Sequence, residues 1–229
     1  MKSATLVTLL LSLLMVGCAP LANKELRLQN LAKSEVDMII DQHIEVGRQL
    51  SRELAEKLYK RNPRELAKAA PGTTIQMRLQ QLLGKPRPIL HAELNNLYAL
   101  DALPLAFDES FGGDRVFALM VAITGMLHSS YNYRDEFFML DEIDHQKLYN
   151  SARNLEKIAW MIHNQRYSNG EIMILSDSIS DDLVNLSYER IFGKLIATQD
   201  MMAEIVATST DRSINRIVQG VATAPFLPI

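Results

Sequence analysis

Three clusters of side chains in this sequence have types and spacings that could do chemistry. The first is Asp141-Glu142-Ile143-Asp144-His145. Glu142 and His145 are three residues apart, and on a helix that spacing sets a carboxylate and an imidazole on one face. A di-metal centre in a helical bundle needs two such Glu-x-x-His pairs and two further glutamates. The chain holds one pair. Zinc would need cysteine partners or a His-Glu-x-x-His segment, and neither is present. Acidic residues at the start of a helix also match the positive end of its dipole. The segment is therefore read as a helix start, with no metal and no cofactor expected.

The second cluster is the densest polar-aromatic stretch, His128 to Phe138. His128, Tyr131, Asn132, Arg134 and Glu136 offer donors and acceptors suited to an anionic or sugar ligand, and they form the candidate ligand-binding set. A structural role competes with this and is favoured. In it the stretch connects two helices, Tyr133, Phe137 and Phe138 plug the core, and Arg134 pairs with a nearby carboxylate. The third cluster is Asp108-Glu109-Ser110-Phe111-Gly112-Gly113. Its Glu-Ser pair resembles the catalytic start of lytic transglycosylases, which implies Glu109 as a general acid acting on glycan strands. The motif that follows in that family, Gly-Leu-Met-Gln, has Gly125-Met126-Leu127-His128 as its nearest counterpart here, without the Gln. The Ala-Tyr-Asn-Ala-Gly motif is absent. As plain residues, 108–113 are a Gly-rich loop ahead of a helix cap at Asp114. No phosphate-cradling loop, nucleophile elbow or Cys/His dyad is present, so no catalytic residue is assigned. His43 is read as a core histidine, His163 and Arg166 as dipole partners at a helix end, and Trp160 as a cover for a neighbouring helix.

These residues must be positioned by helices. From Lys24 to Arg61 there is no proline, and Val36, Ile40, Ile44, Gly47, Leu50, Leu54 and Leu58 recur at three and four residues, with a break expected before Val36. Asn62-Pro63 forms a cap and first turn. Thr73 or Thr74 caps a helix carrying Ile75, Leu79, Leu82 and Leu83, and Gly84 ends it. Ile89 to Ala102 reads as a further helix. Asp114 caps a helix to Ser130 that is apolar nearly all round between Val116 and Leu127, which makes it the buried central helix. Its length, at about 1.5 Å per residue, holds the second and third clusters about 24 Å apart, so they should not form one site. Asp141 or Asp144 starts a helix through Leu148, Ala152, Leu155, Ala159 and Ile162. Ser168-Asn169-Gly170 is a turn, and residues 171–175 are a short strand or an extended loop. Ser180 caps a long helix with Val184, Tyr188, Ile191, Leu195, Met202 and Ile205. Asp211 caps a last one with Ile214, Ile217, Val218 and Val221. The sum is an all-α chain, a single domain of about seven to eight helices around residues 114–130.

The composition of 48% apolar and 22% charged residues is that of an ordinary globular protein. The net charge of −3 argues against a nucleic-acid partner, which requires a basic surface. The N-terminus carries an address. Lys2 precedes an apolar run from Ala4 to Val16, too short for a comfortable membrane span, and Gly17 precedes the chain's single cysteine, Cys18. Leu14-Met15-Val16-Gly17-Cys18 resembles the lipobox of bacterial lipoproteins, with Met15 where that family prefers Leu. The resemblance implies that residues 1–17 are a signal peptide that is removed, that Cys18 carries diacylglycerol and palmitate-like acyl chains, that 18–23 is a short tether, and that 24–229 is the helical domain. Ala19 after the cysteine implies outer-membrane sorting, with the domain facing the periplasm. The expected partners are the membrane, through the anchor, and an envelope protein. The leading reading is a non-enzymatic adaptor or assembly factor. The alternative is a periplasmic enzyme or ligand binder, directed at glycan, that uses the 128–136 loop or Glu109.

Overall fold

The computed structural model describes residues 33–138, 141–180, 183–210, 213, 214, 216 and 223–229. The signal segment, Cys18 and the tether lie outside the described residues. Of the helix expected after Asp211, only Ser213, Ile214 and Arg216 fall within them.

The described chain is an all-helical domain of seven α-helices: α1 Glu35–Arg61, α2 Pro63–Leu66, α3 Ile75–Leu83, α4 Leu103–Phe107, α5 Arg115–Ser130, α6 His145–Asn164 and α7 Ser187–Ser209. The expected break before Val36 lies at Ser34. The Ser34 Oγ accepts from the Asp37 N–H (3.2 Å), and the Asp37 carboxylate accepts from the Ser34 N–H (2.7 Å), a reciprocal capping box. Thr74 caps α3, and Gly84 ends it. Pro63 does begin α2, but Asn62 does not cap it. The Asn62 amide instead donates to the carbonyls of Leu58 and Leu175 (both 2.8 Å) and accepts from the Leu175 N–H, clamping a distant loop.

α5 is the centre of the domain. Asp114 caps it by accepting from the Phe117 N–H (2.9 Å), and all sixteen of its residues are buried. An apolar helix surrounded on every side fits that burial. α6 begins at Asp144, which accepts from the Gln146 N–H, and not at Asp141. Its stripe of Leu148, Ala152, Leu155, Ala159 and Ile162 is buried, and it pairs with α7. On another side of α6, Asn154 exchanges two hydrogen bonds with the backbone of Leu227, and Asn150 donates to the Pro228 carbonyl. These bonds dock the described C-terminal segment.

Two expected elements take a different form. The helix expected over 89–102 is two 3-10 turns, Ala92–Leu94 and Ala99–Ala102, leading into α4, which has Pro104 in its first turn. Asn95, Asn96 and Ala99 have positive φ (54°, 58° and 50°), which a continuous α-helix does not accommodate. A tertiary contact supports this path. A Cβ on Gly125 of α5 would lie 2.7 Å from the Ala99 nitrogen, so the turn lies directly on the central helix where that helix has no side chain. The long helix expected from Ser180 begins at Ser187. Residues 178–180 and 183–185 instead form an antiparallel hairpin, β1–β2, with Ser178 opposite Asn185. The helix starts late because Asp177 satisfies its first amides from outside, accepting from the N–H groups of Tyr188 (3.1 Å) and Glu189 (3.0 Å). Residues 171–175 are an extended loop with one bridge, Ile172 to Arg166, and Gly170 (φ 87°) makes the expected turn.

Candidate functional site

The two ends of α5 are chemically different. At its N-terminal end the Glu109 loop is a clasp. The Glu109 carboxylate accepts from the Ser168 N–H (3.1 Å) and Oγ (2.7 Å), which ties it to the 168–170 turn. Asp108 accepts from the Ser110 N–H and hydroxyl, and these bonds hold its carboxyl below the ordinary value. The buried guanidinium of Arg115 donates to the carbonyls of Ala106, Asp108, Glu109 and Phe111 at 2.6–3.3 Å. These bonds shape the loop and tie it to the 168–170 turn.

The Glu142–His145 pair does not form one helical face. Glu142 lies before α6 and is exposed, and its carbonyl accepts from the Asn132 amide (2.9 Å). His145 is buried, with Nε2 3.2 Å from the Ser213 carbonyl. Among the described residues one other group, His163, Asp177 and Glu189, brings ligand-type atoms within 4.8 Å of one another. Both Asp177 oxygens are already occupied capping α7, and Glu189 is exposed.

At the C-terminal end of α5 there is a partly open cavity of about 30 Å³. α1 contributes His43, Ile44, Gly47, Arg48 and Ser51. α5 contributes Thr124, Leu127 and His128, and the following loop adds Tyr131 and Arg134. Leu83 and Arg87 enter from α3 and the connection after it, and Gln199 from α7. A volume of that size is about two water-sized spheres, enough for one small polar group. Three members of the sequence-derived set, His128, Tyr131 and Arg134, line it. Asn132 and Glu136 do not. Asn132 (φ 53°) is a turn residue whose amide bonds Glu142 and Lys147, and Glu136 is exposed.

The charges around the cavity are unevenly paired. Arg48 donates to the Leu83 carbonyl (2.6 Å) and lies 3.6 Å from Asp135. Arg87 is bonded to that same carboxylate, and Lys85 stands 3.5 Å from it. Against burial, Arg87 and Lys85 hold the Asp135 carboxyl below its ordinary value. Burial, with Arg87 nearby, pushes the His128 imidazole down to about 4; its Nδ1 lies 3.1 Å from the Tyr98 hydroxyl. Burial lifts that hydroxyl to about 12. Burial also lowers His43. Arg134 pairs with Asp141 at 2.9 Å and is half-exposed. Tyr131 is buried and donates to Gln199 (3.2 Å).

A neutral, buried His128 has a pH consequence. Between about pH 6.5 and 4 the unfolded chain binds a proton at this residue and the folded chain does not. The stability this group contributes is therefore present above that window and is lost as pH falls through it, by up to about 3 kcal/mol. Asp114, pushed up to about 6 by burial, works in the opposite direction over part of the same range. The comparison must therefore be between variants. The stability of His128→Gln relative to wild type should rise as pH falls from 7 to 4.5, read from urea midpoints. A pH-independent difference would mean that the imidazole titrates normally.

The sequence did not indicate the α1 contribution, although its signal was legible. His43, Gly47 and Ser51 recur every four residues, a polar and small stripe beside the apolar one. Arg87 carries no such pattern. No protein-family profile, curated protein or solved structure matches the chain. No helix among the described residues is long and apolar enough to cross a membrane.

Proposed function

We propose that this chain is a lipid-anchored, non-enzymatic protein of the bacterial envelope whose helical domain holds a small polar ligand in the cavity at the C-terminal end of α5. The observation that carries the binding role is the convergence of polar side chains from four separate parts of the chain on one cavity. Ligand binding is preferred to an adaptor role because these polar groups converge inward on one cavity. The address rests on the lipobox-like segment ending at Cys18. Acyl chains on that cysteine supply a stable anchor, at about 0.8 kcal/mol per buried CH₂. Such an anchor would hold the chain at the outer membrane on its periplasmic side.

The experiment is mass spectrometry of the full chain purified from membranes of a Gram-negative host. Denatured protein should start at an acylated Cys18. Native spectra should show a bound small molecule that is lost in Gly47→Leu. A Cβ on Gly47 has no neighbour within 4 Å, so the new side chain enters the cavity without a backbone clash, and leaving glycine gains helix propensity of up to about 1 kcal/mol. Arg134→Ala should also lose the ligand. Because the Arg134–Asp141 pair is half-exposed, stability should change by less than about 1 kcal/mol. An unmodified Cys18 would remove the anchor, and equal ligand content in wild type and Gly47→Leu would remove the binding role.

A further inference from the structure

We infer that the group seated in this cavity is a tetrahedral oxyanion, a sulfate or phosphoryl group, held between the Arg48 and Arg87 guanidiniums with Arg134 at the mouth. The inference rests on the binding role proposed above and names its ligand class.

Three observations carry it. The first is charge. The lining residues include three guanidiniums and no carboxylate. Behind them Asp135 alone faces Arg48, Lys85 and Arg87, while Arg134 at the mouth is paired with Asp141 at 2.9 Å. Glu45 lies 3.7 Å from Arg48, but its side chain is 55% exposed and so is screened by water. The cations also disfavour one another. After burial, Arg87 is the largest cause holding both the Arg48 guanidinium and the His128 imidazole below their ordinary values. An anion between them relieves that repulsion.

The second observation is unmet hydrogen-bonding capacity. Arg48 Nη1 and Arg87 Nε are buried nitrogens of lining residues with no hydrogen-bond partner among the described residues. The Arg87 side chain is only 6% exposed. Buried donors are nearly always paired, and guanidinium nitrogens match the oxygens of a planar or tetrahedral oxyanion. The third is size. The cavity is small and partly open, so it suits one small group, either a free ion or the terminal group of a larger molecule that extends through the open side.

The test is isothermal titration of the chain, at constant ionic strength in chloride and pH 7.5, with four probes: sodium sulfate, sodium phosphate, glycerol 3-phosphate, and glycerol as the neutral control. Saturable one-to-one binding of an oxyanion, with none for glycerol, is expected. Arg48→Gln and Arg134→Gln should each weaken it at least tenfold, and Gly47→Leu should abolish it. Arg87 is left intact because it is paired with Asp135. Folding of every variant is checked by its unfolding midpoint. Binding of inorganic sulfate or phosphate identifies a free ion, whereas binding of glycerol 3-phosphate alone identifies the end of a larger phosphoester. Both outcomes support the inference. Glycerol binding as tightly as the oxyanions, or oxyanion binding indifferent to Arg48→Gln, overturns it and leaves the cavity's binding role standing. Absence of binding by all four probes overturns it as well, and a Gly47→Leu variant with unchanged ligand content in the native spectra sinks the binding role itself.

Discussion

Arg78→Ala is expected to lower the stability of the domain by about 3–5 kcal/mol at pH 8, and by clearly less at pH 5. The Arg78 side chain is only 2% exposed, and its guanidinium holds three groups at once. Nη1 and Nη2 donate to the two oxygens of Glu93 (2.6 and 2.8 Å), Nε lies 3.2 Å from Asp114, and the plane stacks 3.9 Å over the Phe117 ring. The Glu93 bonds and Asp114 keep Arg78 charged despite burial. Removing the cation leaves the Asp114 carboxylate, 1% exposed, with only the Tyr59 hydroxyl and the Phe117 amide as partners. Burial already pushes that carboxyl up to about 6, and without Arg78 it should rise further. A raised carboxyl pKa means that the folded state takes up a proton the unfolded state does not. The variant therefore recovers stability as pH falls through the raised value and loses it as pH rises. Urea unfolding at the two pH values gives the difference directly. Equal losses at pH 5 and pH 8, or a loss under about 1 kcal/mol, would show that this cluster does not hold the start of α5.

What the sequence made legible was whatever its local chemistry determines. Thr74, Asp114 and Asp144 each precede an apolar stripe by the spacing a cap requires, and each caps its helix. α5 was legible because an unbroken apolar run leaves no face for water. The errors arose where distant groups override the local signal. The hydrophobic spacing from Ile89 to Ala102 suits a helix, yet Asn95 and Asn96 take left-handed φ, and Gly125, about 26 residues further on, receives Ala99 against its bare backbone. Ser180 looked like a cap, but the cap is Asp177, ten residues ahead of the first turn it serves. The address at Cys18 remains a reading of the sequence alone.

The candidate site divides along the same line. His128, Tyr131 and Arg134 were legible because polar groups crowd the end of an apolar helix. Arg48 and Arg87 were not, because about 80 residues separate Arg48 from His128 at that helix end, and charged side chains on an amphipathic helix read as its solvated face. The buried cluster of Glu65, Arg78 and Arg115 was missed for the same reason. Nothing in residue type separates a charge facing water from one buried against α5, and only the packing of α2 and α3 on that helix decides it.

Ile123→Ala is expected to cost about 2–5 kcal/mol, the sum of lost transfer free energy and the cavity left behind. Ile123 is fully buried, with Met120 before it and Leu127 after it on the same side of α5. Surrounding elements are fixed to that helix by backbone-level contacts such as Ala99 on Gly125, so collapse around the missing atoms is restricted and the upper half of the range is favoured. For a domain of this size the loss corresponds to about 2–4 °C of midpoint per kcal/mol. Ile123→Val should cost only about 0.5–1.5 kcal/mol and calibrates the series. The variant also separates the core from the site. Thr124, Leu127 and His128 line the cavity from the same helix, but the guanidiniums that would hold an oxyanion are carried by α1, the 85–88 connection and the loop after α5. A core-destabilised but folded variant should therefore bind sulfate within a few-fold of wild type, whereas Arg48→Gln should keep its midpoint and lose the anion. An unshifted midpoint for Ile123→Ala would exclude α5 as the element on which the domain is built. A lost midpoint accompanied by equally lost sulfate binding at temperatures where the variant is folded would mean that the cavity is shaped by helix packing and not by its charges.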